Sequence, residues 1–298
     1  MGNDLPPLDP SLDLHRSAFV QLPVSELQSA IVPVVVIGRQ IRLIGTAFNV
    51  HPSGLFVTAR HVIQEALDVC SSDPTASIFV MWIGSGADED VEDLLGGPIP
   101  AHLFQINEYH DVGIIQTRAL LKDGVPATYP VISVDTRIPK LGSPVAGVGY
   151  TKMAIDRDGE SPTLREIDIN QAVHFSAGDV LDIYPVARDS ATLPFPCFLT
   201  TARFDGGMSG GPVFSGESGK ACGVICTGFS AADDDHDAYT SSAAAILNVL
   251  RLEVLVDSET GRTSGMYEIL NVEDGGHELS NVQLLPSDDG TTVLQYRI

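Results

Sequence analysis

Short apolar runs separated by polar turns set the pattern of the chain. Ile31–Ile37 and Ile41–Val50 read as two strands, with the polar Gly38-Arg39-Gln40 as a hairpin turn between them. His51-Pro52-Ser53-Gly54 is a turn by composition, and Leu55–Ala59 is a further short strand. One or two helical turns are expected over His61–Val69, then strands at Ile78–Ile83, Ala101–Gln105 and Val112–Thr117. Ala87–Leu95 is acidic and reads as a loop or a helix edge. Residues 118–140 carry prolines and few periodic apolar positions, so the connection between two units is placed there. A second group of strands follows at Pro144–Tyr150, Ile167–Phe175, Val180–Pro185 and Phe198–Ala202. Two groups of short strands with frequent turns indicate an all-β chain built of barrels or a sandwich. Apolar positions Ile246, Val249, Leu250 and Leu252 predict one amphipathic helix over Ser241–Glu253. Residues 1–17 lack a core-forming pattern, a short helix is expected around Val24–Ala30, and residues 254–298 are expected to add two to four strands.

Composition narrows the function classes. Apolar residues make up 44 % of the chain and charged ones 19 %, which describes a folded protein. The net charge of −22 argues against a nucleic-acid or anionic-membrane binder, since both need a basic face. The N-terminus is polar, acidic and proline-bearing, unlike a secretory signal, so a cytoplasmic protein is expected. Cys70, Cys197, Cys222 and Cys226 show no zinc-ligand spacing.

The candidate chemistry lies in GGMSGGP, Gly206–Pro212. Glycine allows backbone turns that a Cβ forbids, and a serine on such a turn is a candidate nucleophile. Alone, the motif is better explained by a tight turn between strands. Two upstream motifs change that reading. TARHV places His61 just after an apolar strand, and HDVGIIQ places Asp111 at the mouth of another. A serine hydroxyl is a poor nucleophile at neutral pH, so a neutral imidazole must take its proton. A buried carboxylate on the other ring nitrogen fixes the tautomer and tolerates the cation that forms.

With these three motifs in this order, residues 30–252 resemble the trypsin/chymotrypsin-like serine peptidases, in the HtrA-like style of protease domain. The resemblance implies two six-stranded antiparallel β-barrels with the active site in the cleft between them, followed by a C-terminal helix. It implies that His61 is the general base, Asp111 its orienting group and Ser209 the nucleophile. It also implies an oxyanion hole made by the backbone N–H groups of Gly207 and Ser209. Gly45-Thr46-Ala47-Phe48, Gly142–Tyr150 and Gly223–Gly228 are supporting matches. Domain boundaries follow: an arm over 1–30, barrels over 31–125 and 126–253, and a C-terminal extension over 254–298, which is too short for a PDZ domain.

Where secreted relatives carry an Asp before the nucleophile, this chain has Met208, so activation through that ion pair is not expected. The resemblance places Arg203 at the base of the specificity pocket, Thr227 and Gly228 where peptide backbone pairs, and Asp237 near the pocket. Arg203 would favour an acidic substrate residue and Asp237 a basic one; alternatively, Arg203 points to solvent and the loop Asp233–Asp237 is simply solvated. Carboxylates of that kind suit calcium, but the spacing is not that of an EF-hand and no metal is assigned. His15, His51, His102, His174, His236 and His277 read as surface or packing residues, and His110, next to Asp111, is expected to cover the strand end, with contact to the site as the alternative. The expectation is a serine endopeptidase acting through an acyl-enzyme, without metal or organic cofactor, on protein or peptide substrates. It is selective or triggered by a regulatory protein partner. The alternatives are a catalytically silent protease-like peptide-binding module and an esterase with the same triad.

Overall fold

A computed structural model describes residues 27, 29–85, 94–107, 109–117, 121–122, 125–126, 128–156, 168–230, 239–257, 260–272, 275–286 and 292–297. The 1–17 arm, the acidic stretch up to residue 93 and the loop Asp233–Asp237 lie outside them.

Six strands form the first barrel: β1 (Ile31–Ile37), β2 (Ile41–His51), β3 (Leu55–Thr58), β4 (Ser77–Ser85), β5 (Leu94–Ile106) and β6 (Gly113–Thr117). They close in the order β1-β2-β3-β6-β5-β4, all antiparallel. Pro33 precedes Val34, the first β1 residue that pairs with β4, so its missing N–H falls outside that ladder. Helix α1 (Arg60–Ser72) runs directly on from β3 and buries Val62, Ile63 and Ala66. It is longer than the one or two turns expected, because this apolar stripe packs on the barrel.

A short hairpin of β7 (Leu121–Lys122) and β8 (Val125–Pro126) follows. The second barrel then consists of β9 (Pro144–Asp156), β10 (Asp168–Tyr184), β11 (Cys197–Thr200), β12 (Pro212–Ser215), β13 (Ala221–Ser230) and β14 (Tyr239–Ala245). It closes in the order β10-β11-β14-β13-β12-β9. Closure removes the free edges that open sheets expose.

The helix expected over Ser241–Glu253 needs correction. Ser241–Ala245 belongs to β14, where it pairs with β11 on one side and β13 on the other. Only Ile246–Arg251 is helical, as a 3-10 turn. Alanine's helix propensity is worth tenths of a kcal/mol per residue, and two ladders of backbone hydrogen bonds outweigh it. After this turn come β15 (Glu253–Asp257), β16 (Arg262–Gly265), α2 (Met266–Val272), β17 (Val282–Pro286) and β18 (Thr292–Tyr296).

One apolar core runs through both barrels, joining Phe48, Val57 and Ile114 to Val148, Tyr150 and Phe214. The buried Tyr150 hydroxyl donates to the Ile31 carbonyl at 2.9 Å, tying β9 to β1. The C-terminal extension lies against the inter-barrel connection. There, Glu278 N–H donates to Val134 O and Thr136 N–H donates to Glu278 O; on the second barrel, the Tyr296 hydroxyl donates to Pro185 O just after β10.

Candidate active site

The turn that carries Ser209 is a backbone construction held from both barrels. Gly207 and Gly210 have φ of 93° and 85°, in the left-handed region that favours glycine. A Cβ on Gly207 would collide with the Tyr150 carbonyl, and one on Gly210 with the Thr46 carbonyl. Thr46 on β2 secures the turn from the first barrel. Its amide donates to Ser209 O at 2.8 Å, and its hydroxyl donates to Gly207 O at 2.8 Å. The same hydroxyl accepts from Tyr150 N–H at 2.9 Å. On the other side, Gly210 N–H donates to Ile225 O and Ile225 N–H to Gly211 O. The register of β13 against β14 shifts at Cys226, a bulge that re-aims the local backbone. Among the described residues, neither the Gly207 nor the Ser209 amide has an acceptor. Two free donors beside a serine are the requirement for an oxyanion hole.

His61 and Asp111 meet through the start of α1. The residue before the helix, Ala59, has no capping side chain. The first amides of a helix lack intrahelical acceptors, and Asp111 supplies one from 50 residues away: His61 N–H donates to Oδ1 at 3.1 Å. The His61 ring turns Nδ1 to the same carboxylate, 2.8 Å from Oδ2 and 3.1 Å from Oδ1. Asp111 is therefore both helix cap and ring partner, and the positive end of the helix dipole favours its anion. Burial pushes the Asp111 carboxyl up, while hydrogen bonds and charge from His61 pull it down; the net position is below the usual carboxylate value. The His61 side chain remains 42 % exposed, with the carboxylate behind it at 17 %. Beneath Asp111, burial holds the Cys226 thiol well above its usual pKa, so it stays neutral there.

His61, Asp111 and Ser209 line one cleft of about 670 Å³. The Ser209 hydroxyl donates to the Cys226 carbonyl at 3.3 Å. The other cleft residues include Tyr109, His110, Phe204, Asp205 and the segment Ala191–Phe195. Arg203 stands in solvent outside this lining, and its Nε donates to Asp205 Oδ1 at 2.8 Å. Of the two positions weighed for Arg203, this is the solvent one. Thr227 and Gly228 lie on β13 and pair with Ser242 and Ser241. Asp237 is outside the described residues. His110 is buried in the cleft wall, where burial first and then the charge of Arg251 push its pKa down to about 4. Among the described residues, no group of three or more His, Cys, Asp or Glu side chains is placed to hold a metal ion.

Residues 45–224 match the sequence model of the trypsin-like peptidase domain. The chain belongs to this family. The two closed barrels are those of the trypsin-like fold, as TARHV, HDVGII and GGMSGGP implied. Among solved structures, this trypsin-like chain is similar to Deg5, with a TM-score of 0.53 and 15 % identity over 82 % of this chain and 94 % of that one. At that identity the likeness shows the fold. The MamO protease domain from Magnetospirillum magneticum, in its apo form, gives a TM-score of 0.48 and 15 % identity over 75 % of this chain and 95 % of that one. No curated protein matches the chain.

Three contributors to this trypsin-like site had no visible role in the sequence. Thr46 stood in a supporting motif without a task, and only the register of β2 against the nucleophile turn reveals one. The Ala191–Phe195 wall is a loop of ordinary composition with no motif. Cys226 acts through a carbonyl, which every residue has.

Proposed function

We propose that this chain is a serine endopeptidase in which Ser209 attacks a peptide carbonyl, His61 takes and returns the proton, and Asp111 holds His61. The observation that carries the reading is the His61–Asp111 contact at the edge of a cleft into which Ser209 also opens, beside two amides without acceptors. Attack on the carbonyl carbon moves the serine proton to His61 Nε2 and places negative charge on the substrate oxygen, which the Gly207 and Ser209 amides stabilise. Collapse of the tetrahedral species expels the amine, protonated by His61, and leaves an acyl-enzyme. Water then repeats the sequence and frees the serine. One oxyanion donor is worth roughly 2.7–4 kcal/mol in comparable sites. The substrates on this reading are proteins or peptides. The free thiols of the four cysteines support a reducing, cytoplasmic setting, where such an enzyme must be selective or triggered by a partner.

A second reading, a peptide-binding module, is favoured by one observation: the Ser209 hydroxyl donates to Cys226 rather than to His61. Catalytic hydrogen bonds are often loose without substrate, and a rotation about χ1 of Ser209 changes this one. Labelling with a fluorophosphonate decides between the two readings. The wild type is expected to label at Ser209 and Ser209→Ala not at all; a folded wild type that never labels sinks the peptidase. A peptide-library digest then separates peptidase from esterase and reads the preference around Asp205 and Arg203.

A further inference from the structure

His110 is a buried imidazole to which the proposed chemistry gives no task. It precedes Asp111 in the cleft wall, with 6 % of its surface exposed. Its Nε2 lies 3.1 Å from Nη1 of Arg251. A guanidinium nitrogen only donates, so Nε2 accepts and the ring proton sits on Nδ1. That Nδ1 is buried and has no hydrogen-bond partner among the described residues. Phe195 supports the ring edge-on, with 6.0 Å between centroids. An unpaired buried donor is costly, and an apolar side chain would fill the space without that cost. The contact that favours histidine here is the one at Nε2.

That contact joins three segments. His110 belongs to the β5–β6 connection of the first barrel, and Phe195 to the β10–β11 connection of the second. Arg251 ends the 3-10 turn after β14. At the far end of β6, Gln116 Nε2 donates to the Leu255 carbonyl on β15 at 3.0 Å. The segment that carries Asp111 is thus fastened at one end to Arg251, just ahead of the C-terminal extension, and at the other to Leu255 within it. Asp111 must hold the His61 ring and the His61 amide at once, so a small displacement of its backbone lengthens one bond or the other.

We propose that Arg251, just ahead of the C-terminal extension, is a positioning residue: by holding His110 it fixes Asp111, and so helps determine how the His61 ring is oriented. The inference rests on the reading of Asp111 as the group that orients His61.

The test uses the full chain. Arg251→Met removes the donor and keeps the stem; Arg251→Lys keeps a donor. His110→Leu removes the acceptor and keeps an apolar contact for Phe195. Proton NMR reads the His61 Nδ1 proton, assigned by its disappearance in His61→Gln. In Arg251→Met and His110→Leu that proton is expected to exchange with solvent about tenfold faster than in wild type. With a cleavable peptide, kcat is expected to fall about tenfold while KM stays within about twofold, the pattern of a displaced catalytic group. Arg251→Lys is expected to recover most of both. Wild-type exchange and wild-type kcat in both disruptive variants overturn the proposal. So does a lowered melting temperature with unchanged exchange, which makes the contact merely structural. If the wild type cleaves no peptide, the peptidase reading fails by itself, and the exchange measurement still decides this inference.

Discussion

At the scale of single residues, burial decides which groups are charged. Asp111 stays an anion in a mostly buried place because His61 gives it two donors. His110, its neighbour, faces Arg251 and stays neutral down to about pH 4. This has a consequence for stability. An unfolded histidine takes a proton near pH 6.5, whereas folded His110 resists protonation until about 4. Between those values the unfolded chain binds more protons, so stability falls as pH drops, by up to about 1.4 kcal/mol per unit from this one ring. Below the folded value its contribution is level. Urea unfolding at several pH values between 7 and 4 should show a shallower loss in His110→Leu than in wild type, and identical slopes would contradict this. The lowered Asp111 adds a loss of the same sign at more acid pH, where its carboxylate is protonated on unfolding. Much of the residue scale was legible beforehand. His61, Asp111 and Ser209 each sit in a local motif, and the chemistry demands those types. Arg203 was ambiguous because its direction depends on Asp205 and on the turn of the chain between them, which no spacing rule encodes.

At the scale of elements, strand-to-strand register does what motifs cannot record. Thr46 reaches the nucleophile turn only because β2 lies beside β9 with its hydroxyl between Gly207 O and Tyr150 N–H. Thr46→Val keeps the shape and removes the hydroxyl, leaving the buried Tyr150 N–H donor and the part-buried Gly207 carbonyl unpaired. About 1–3 kcal/mol of stability per orphaned group should be lost, together, on the proposed reading, with peptidase rate, because the Gly207 amide next to this carbonyl is one of the two proposed oxyanion donors. Thermal unfolding and kcat on the same preparation check both; a variant that loses neither would remove Thr46 from the turn's support. The elements misjudged from sequence fail for the same reason. Ser241–Ala245 has the composition of a helix and becomes a strand because β11 and β13 present open ladders on both sides of it. Helix α1 outruns its expected length because its apolar stripe finds the barrel wall. Local patterns announce strands well here, since alternating or wholly apolar runs bounded by turns have few other uses. They do not announce which long-range partner completes an ambiguous segment.

At the scale of the whole molecule, the C-terminal extension is part of the continuous core. Met266, Leu270, Leu279 and Val282 bury themselves with residues of both barrels. Leu270→Ala should therefore destabilise the entire chain by about 2–5 kcal/mol, as for other large-to-small core changes, in a single cooperative transition. A separate early transition for residues beyond 254 would show instead that the extension folds on its own. The seam at Thr46 has a mechanical meaning as well. Ser209 belongs to the second barrel, yet its backbone carbonyl and that of Gly207 are bound by the first. Prying the barrels apart would tear the Ser209 turn, so the cleft cannot be opened like a book without dismantling one of its own walls. Traffic into and out of it is left to the loops on its rim.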